Sequence, residues 1–132
     1  KEKELIMARQ YNKLTFVGNL GKDPEMRYTP SGRAVTNLTV AANDQDTGAD
    51  GETVKTTTWF KCVAWGKKAE IINEHFRSGD PIMIEGKLKP GPNGRPEIWT
   101  RTDGSPAADY EVTVLEFYFM PKGDKNNQYE PA

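Results

Sequence analysis

Two residue types that build most metal and redox sites are nearly missing. The 132 residues hold one cysteine, Cys62, and one histidine, His75. A single cysteine excludes an intrachain disulfide framework and any cysteine-cluster zinc site. A single histidine excludes a histidine-rich metal site or a two-histidine mechanism within one chain. His75 therefore reads as solvated or capping, and no metal or cofactor is expected. No apolar run approaches the roughly 20 residues a membrane helix needs. The opening Lys1-Glu2-Lys3-Glu4 has no signal-peptide h-region behind it. These absences predict a soluble, cytoplasmic chain with one principal domain. An excess of one charge sign is missing as well, with 18 bases against 19 acids. That total is not the basic signature of a nucleic-acid binder, but it hides segregation. Asn43 to Val54 contains four acids and no base, whereas Lys61, Lys67 and Lys68 gather in one stretch and Lys87, Lys89, Arg95 and Arg101 in another.

What is present is mostly strand-like. Asn12 to Leu20 alternates, with Leu14, Phe16, Gly18 and Leu20 on one face. Asp23-Pro24 and Thr29-Pro30-Ser31-Gly32 are turn chemistry. Ala34 to Ala42 reads as a second strand, and the polar stretch Asn43 to Glu52 as a mobile loop. Val54 to Trp65, dense in Thr, Val and aromatics, predicts a third strand. Ala69, Ile72 and Phe76 fall at helical spacing within Lys67 to Arg77, and Gly79 reads as the cap that ends this helix. Pro81 to Leu88 is a fourth strand and Tyr110 to Phe119 a fifth. Between them Lys89 to Ala108, with four prolines and three glycines, reads as a long excursion or a ragged hairpin. Residues 1–10 read as an N-terminal extension, with Met7 an alternative start. Residues 11–120 form the domain, and residues 121–132 read as a flexible tail. Three strands, a short helix, then two strands is the order of the five-stranded Greek-key barrel called the OB-fold. A small sandwich or another α+β domain fits the same order.

The informative segment is Trp59-Phe60-Lys61-Cys62-Val63-Ala64-Trp65. Strand alternation puts Trp59, Lys61, Val63 and Trp65 on one face and Phe60, Cys62 and Ala64 on the other. The second face is small and apolar and suits a barrel interior or a subunit contact. The first carries two indoles flanking a cation. Both tryptophans could be core, but an unpaired ammonium is rarely buried. Exposed, the face is a platform on which bases stack without being read, with lysines alongside to neutralise phosphates. Trp99, among Lys87, Lys89, Arg95 and Arg101, is either a second such patch or a loop anchor.

The run Val17-Gly18-Asn19-Leu20-Gly21-Lys22-Asp23-Pro24-Glu25-Met26-Arg27-Tyr28 resembles the opening of the bacterial single-stranded DNA-binding proteins. The resemblance continues through Ala34 to Ala41, Thr58-Trp59, Trp65-Gly66-Lys67, Ala69-Glu70 and Ile84-Glu85-Gly86-Lys87-Leu88, over about Tyr11 to Phe119. It implies an all-β OB-fold with one short helix between strands three and four. It also implies a homotetramer and sequence-tolerant binding of single-stranded DNA in replication, recombination and repair. Trp59 and Trp65 match the family's stacking aromatics, Lys67 a DNA-facing lysine and Phe60 a subunit-interface residue. Trp99 is the third stacking candidate. Lys61, Lys67, Lys87, Lys89, Arg95 and Arg101 are the candidate phosphate contacts.

Two departures stand out. Asn43 to Glu52 is acidic where the family carries aromatic or basic residues, so no DNA-wrapping role transfers to it. The chain stops at Tyr129-Glu130-Pro131-Ala132 without the family's acidic, partner-recruiting tip. Replication and repair proteins are expected as partners only where a native tail supplies that tip. Both departures fit an alternative, an OB-fold protein-contact module with weakened DNA binding. A hydrolase or nuclease would need a nucleophile–base pair or a carboxylate cluster, and the sequence offers neither.

Overall fold

The computed structural model describes residues 11–122. The expected extension, residues 1–10, and most of the expected tail, residues 123–132, lie outside the described residues. The described elements are β1 (Leu14–Leu20), β2 (Glu25–Tyr28), β3 (Ala34–Thr47), β4 (Thr53–Trp65), α1 (Lys67–His75), β5 (Pro81–Leu88), β6 (Ile98–Thr100), β7 (Pro106–Ala108) and β8 (Tyr110–Phe119).

The main sheet runs β1-β5-β8-β4-β3-β2, and an additional pairing of β1 with β3 closes it. That closure makes a five-stranded barrel of β1, β5, β8, β4 and β3. All its pairings are antiparallel except β4 with β8. This is the connectivity of an OB-fold. Closure needs tight passage at two glycines: a β-carbon at Gly18 would collide with the Ala41 carbonyl, and one at Gly86 with Val112. At Gly86 the register of β5 against β8 also shifts by a residue, a bulge of the kind that bends a strand around a barrel.

The interior is filled by alternate residues of every barrel strand, among them Leu38, Val40, Cys62, Ala64, Ile82, Ile84 and Val112. Phe16 and Phe60 stack inside with centroids 4.1 Å apart. Phe76 stacks on Phe119 at 4.9 Å. Helix α1 lays Ala69 and Ile72, both fully buried, against this core. Thr36, the one buried polar side chain among the described residues, donates to the Ala69 carbonyl at 2.8 Å and so fixes the helix to β3.

Two sequence expectations change, the loop at Asn43 and the cap at Gly79, and two segments gain definition. Glu25–Tyr28 is a strand, because it pairs with Ala34–Asn37 despite its turn-forming neighbours. Asn43–Thr47 is not loop: β3 runs on to Thr47 and pairs in register with Thr53–Thr57 of β4, leaving only a short turn at Gly48–Glu52. Of the two readings of the segment after β5, the hairpin is the one observed: β6 pairs with β7, with Trp99 opposite Ala107. Gly79 does not cap the helix, which ends at Phe76 in extended conformation. Gly79 instead adopts φ +88° in the following turn, where its N–H donates to the Leu20 carbonyl.

Candidate nucleic-acid interface

β4 is divided between two environments, and its backbone alternation decides which side chain enters which. Phe60 is 9% exposed, Cys62 1% and Ala64 is fully buried. Trp59 is 52% exposed, Lys61 is exposed, and Val63 and Trp65 are half-buried. The outward row therefore holds the two indoles with the ammonium between them. Burial also settles the chemistry of Cys62: loss of water pushes its thiol up to about 12, so it is an inert core group. Phe60 is enclosed within one chain by Phe16 and Tyr110.

Each aromatic on the outer face has a specific support. The six-membered ring of Trp59 lies over Gly21. Trp65 carries the guanidinium of Arg33 above its ring, 4.6 Å from the centroid, a favourable cation–π contact. Arg33 reaches that position from a tight turn in which its N–H and carbonyl both bond to Thr29 and Gly32 takes φ +87°. Trp99, on the β6–β7 hairpin, donates its Nε1–H to Asp109 Oδ2 at 2.9 Å, and Arg101 lies over its ring at 5.9 Å.

The cations are unevenly distributed. A cleft of about 480 Å³ crosses the outer face of β2, β3 and β4 and contains Lys22, Arg27, Lys61, Lys89 and Trp65, with Glu25 and Glu111 among them. Of the expected phosphate contacts, Lys61 and Lys89 thus share one groove with Trp65. Lys87 points outward beside it: it pairs with Thr113, and Thr113 with Val63. Lys67 stands at the start of α1, where it pairs with Glu70 at 3.8 Å and is largely solvated. Arg95 is an exposed loop residue. Arg101 bonds the Ser105 hydroxyl and the Pro106 carbonyl, which ties it to the hairpin beneath Trp99. Sequence reasoning missed Lys22, Arg27 and Arg33. The first two sit in the run that carries the family resemblance, and Arg33 follows its turn glycine. The groove position of Arg27 depends on the β2–β3 pairing.

The hairpin extension of β3 and β4 beyond the barrel obeys the same alternation. Ala41 pairs with Trp59, Asn43 with Thr57 and Gln45 with Lys55, and the Thr57 hydroxyl donates to Asn43 Oδ1 at 2.7 Å. These residues continue the platform face. Asp44 pairs with Thr56 and Asp46 with Val54, so both carboxylates lie on the opposite face of the ribbon.

A closed OB barrel carrying aromatics and cations on one outer face defines a class of nucleic-acid-binding folds. Within it, residues 11–120 match the model of the single-strand binding protein family, and this chain belongs to that family. Among solved structures it is similar to a deletion mutant of the single-stranded DNA binding protein from Thermus aquaticus. The TM-score is 0.68 and the identity 25%, over 87% of this chain and 53% of the other. The chain thus spans about half the length of that protein. No helix among the described residues is long and apolar enough to cross a membrane.

Proposed function

We propose that this chain binds single-stranded DNA without reading its sequence, along the outer face of β2, β3 and β4. One observation carries the reading. Trp59, Lys61 and Trp65 are directed outward from a strand whose other residues fill the barrel. Indoles offer each base a stacking surface and the groove cations meet its phosphates. Trp59, Trp65 and Trp99 are the stacking residues of this proposal. Lys61 and Lys89 are its main phosphate contacts, joined by Lys22 and Arg27. Lys67, Lys87, Arg95 and Arg101 extend the basic track at its margins.

The same proposal gives the chain a cytoplasmic role in protecting single strands during replication, recombination and repair. It acts there as a homotetramer. Exposed apolar residues support an assembly surface away from the platform: Val17, Met83 and Tyr118 form one row across β1, β5 and β8, with Val17 and Tyr118 exposed. Phe60 is assigned to the support of that assembly from within the barrel wall.

Titrating tryptophan fluorescence with oligo(dT) tests the binding, and light scattering of the same samples tests the assembly. The expected result is strong quenching, with the binding constant falling on a log–log salt plot by about 0.7 per phosphate neutralised. An unchanged emission up to millimolar oligonucleotide would overturn the DNA reading and favour a protein-contact module. A monomer mass at micromolar concentration would overturn the tetramer.

A further inference from the structure

We infer that Asp109 is a positioning residue that locks Trp99 onto the platform while holding Lys61 in reserve for phosphate. The inference deepens the single-strand-binding reading and rests on it. Asp109 lies between β7 and β8, at the point where the β6–β7 hairpin rejoins the barrel. Its Oδ2 accepts the indole N–H of Trp99 at 2.9 Å. The same oxygen lies 3.7 Å from Lys61 Nζ. One carboxylate oxygen thus links Trp99 on β6 to Lys61 on β4.

The two contacts differ in strength and should respond differently to DNA. The indole contact is a short hydrogen bond to a charged acceptor, the stronger kind. It holds a side chain on a hairpin whose strand pairing, among the described residues, is the three residue pairs between β6 and β7. The Lys61 contact is long, and the ammonium is more than half exposed, so it is a weak surface pair. An incoming phosphate at the groove can take Lys61 without loosening Trp99. The carboxylate also subtracts one positive charge from a site that binds a polyanion. Asp109 therefore trades electrostatic affinity for a fixed third aromatic.

Asp109→Asn and Asp109→Ala separate the two roles. The amide oxygen of asparagine can still accept the indole N–H, but it carries no charge. Alanine removes both. In the free protein, Trp99 emission is isolated as the difference between each variant and its Trp99→Phe derivative. Its anisotropy should drop in Asp109→Ala and stay at the wild-type value in Asp109→Asn. In oligo(dT) titrations at low salt, Asp109→Asn should bind roughly two- to fivefold tighter than wild type. That gain should vanish near 1 M salt, where the screening length is about 3 Å. Asp109→Ala should bind more weakly than Asp109→Asn by roughly fivefold or more, the loss of one ordered stack. Equal anisotropy and equal affinity in the two variants would overturn the positioning role. Weaker binding by Asp109→Asn than by wild type would overturn the charge argument. The anisotropy measurement uses no DNA, so it judges the lock even if wild type fails to bind oligo(dT), an outcome that sinks the single-strand-binding reading instead.

Discussion

The indole of Trp59 rests on Gly21: a β-carbon placed at Gly21 would stand 2.6 Å from Cζ3 of that ring. Gly21 is itself pinned, with its N–H bonded to the Thr39 carbonyl on β3 at 2.9 Å. The missing side chain therefore makes a flat seat for the aromatic at the edge of the barrel. A fixed indole has less conformational entropy to lose when a base stacks on it. Gly21→Ala should tilt or lift the ring, because the far end of a half-exposed side chain yields more easily than backbone. The expected outcome is a severalfold loss of affinity for oligo(dT), smaller than that of Trp59→Ala, with a melting temperature near wild type. A variant that binds normally would show that the seat does not matter.

The acidic stretch after the barrel makes a second, sharper case. Alternation puts Asp44 and Asp46 behind the ribbon and Lys55 on the platform side. At low salt, Asp44→Asn with Asp46→Asn should change affinity little, by less than about 0.5 kcal/mol, the usual range for surface substitutions. Lys55→Glu should weaken binding and flatten its salt dependence. A large tightening from the two asparagines would mean that the strand contacts both faces of the ribbon.

The five barrel strands and the helix were readable because each has one buried face, and burial writes period 2 or period 3.6 into the sequence. The failures occur where that signal is absent. Asn43 to Thr47 is exposed on both faces, so its partner, not its pattern, makes it strand. β2 and the β6–β7 hairpin are three or four residues long, too short for periodicity to register. In the site, the face of β4 was legible from alternation alone, including the burial of Phe60 beside exposed Trp59. The supports were not. Arg33 meets Trp65 across 32 positions and Asp109 meets Lys61 across 48, and no local spacing encodes such pairs. Gly79 misled for a related reason: a positive φ can serve a helix end or the next turn, and only the Leu20 contact decides between them.

Burial of Cys62 has a consequence for pH. Its thiol titrates near 12 in the folded chain against about 8.5 for a free one. A folded pKa above the unfolded value means that the thiol's contribution to stability is intact below about pH 8.5 and is lost as pH rises toward 12. The free energy of unfolding, measured by denaturant titration, should therefore fall further between pH 7 and pH 10 for wild type than for Cys62→Ala, by at most about 1.4 kcal/mol per pH unit above about pH 8.5. The native thiol should also resist iodoacetamide at pH 8 and react once the chain is unfolded. Rapid native alkylation would show that the barrel opens at β4 far more readily than its packing implies.

The register of β4 makes neighbouring residues answer to different measurements. Trp59 contributes an exposed ring and little packing beyond its seat, so Trp59→Ala should cost roughly 1–3 kcal/mol of DNA affinity while assembly and melting temperature hold. Trp65→Ala should cost a similar amount and also leave the Arg33 guanidinium without its aromatic partner. Arg33→Ala should then weaken binding in the wild-type background but have little further effect in Trp65→Ala, which a double-mutant cycle reads directly. Phe60→Ala, one position from Trp59, empties a buried site stacked on Phe16 and should cost about 3–5 kcal/mol of folding stability. Its affinity per folded molecule should change little, because the outward row is untouched. Affinity, melting temperature and molar mass measured on all four variants check the register. If Trp65→Ala unfolds the chain while Phe60→Ala chiefly abolishes binding, the two faces of β4 are exchanged and the platform lies elsewhere on the barrel.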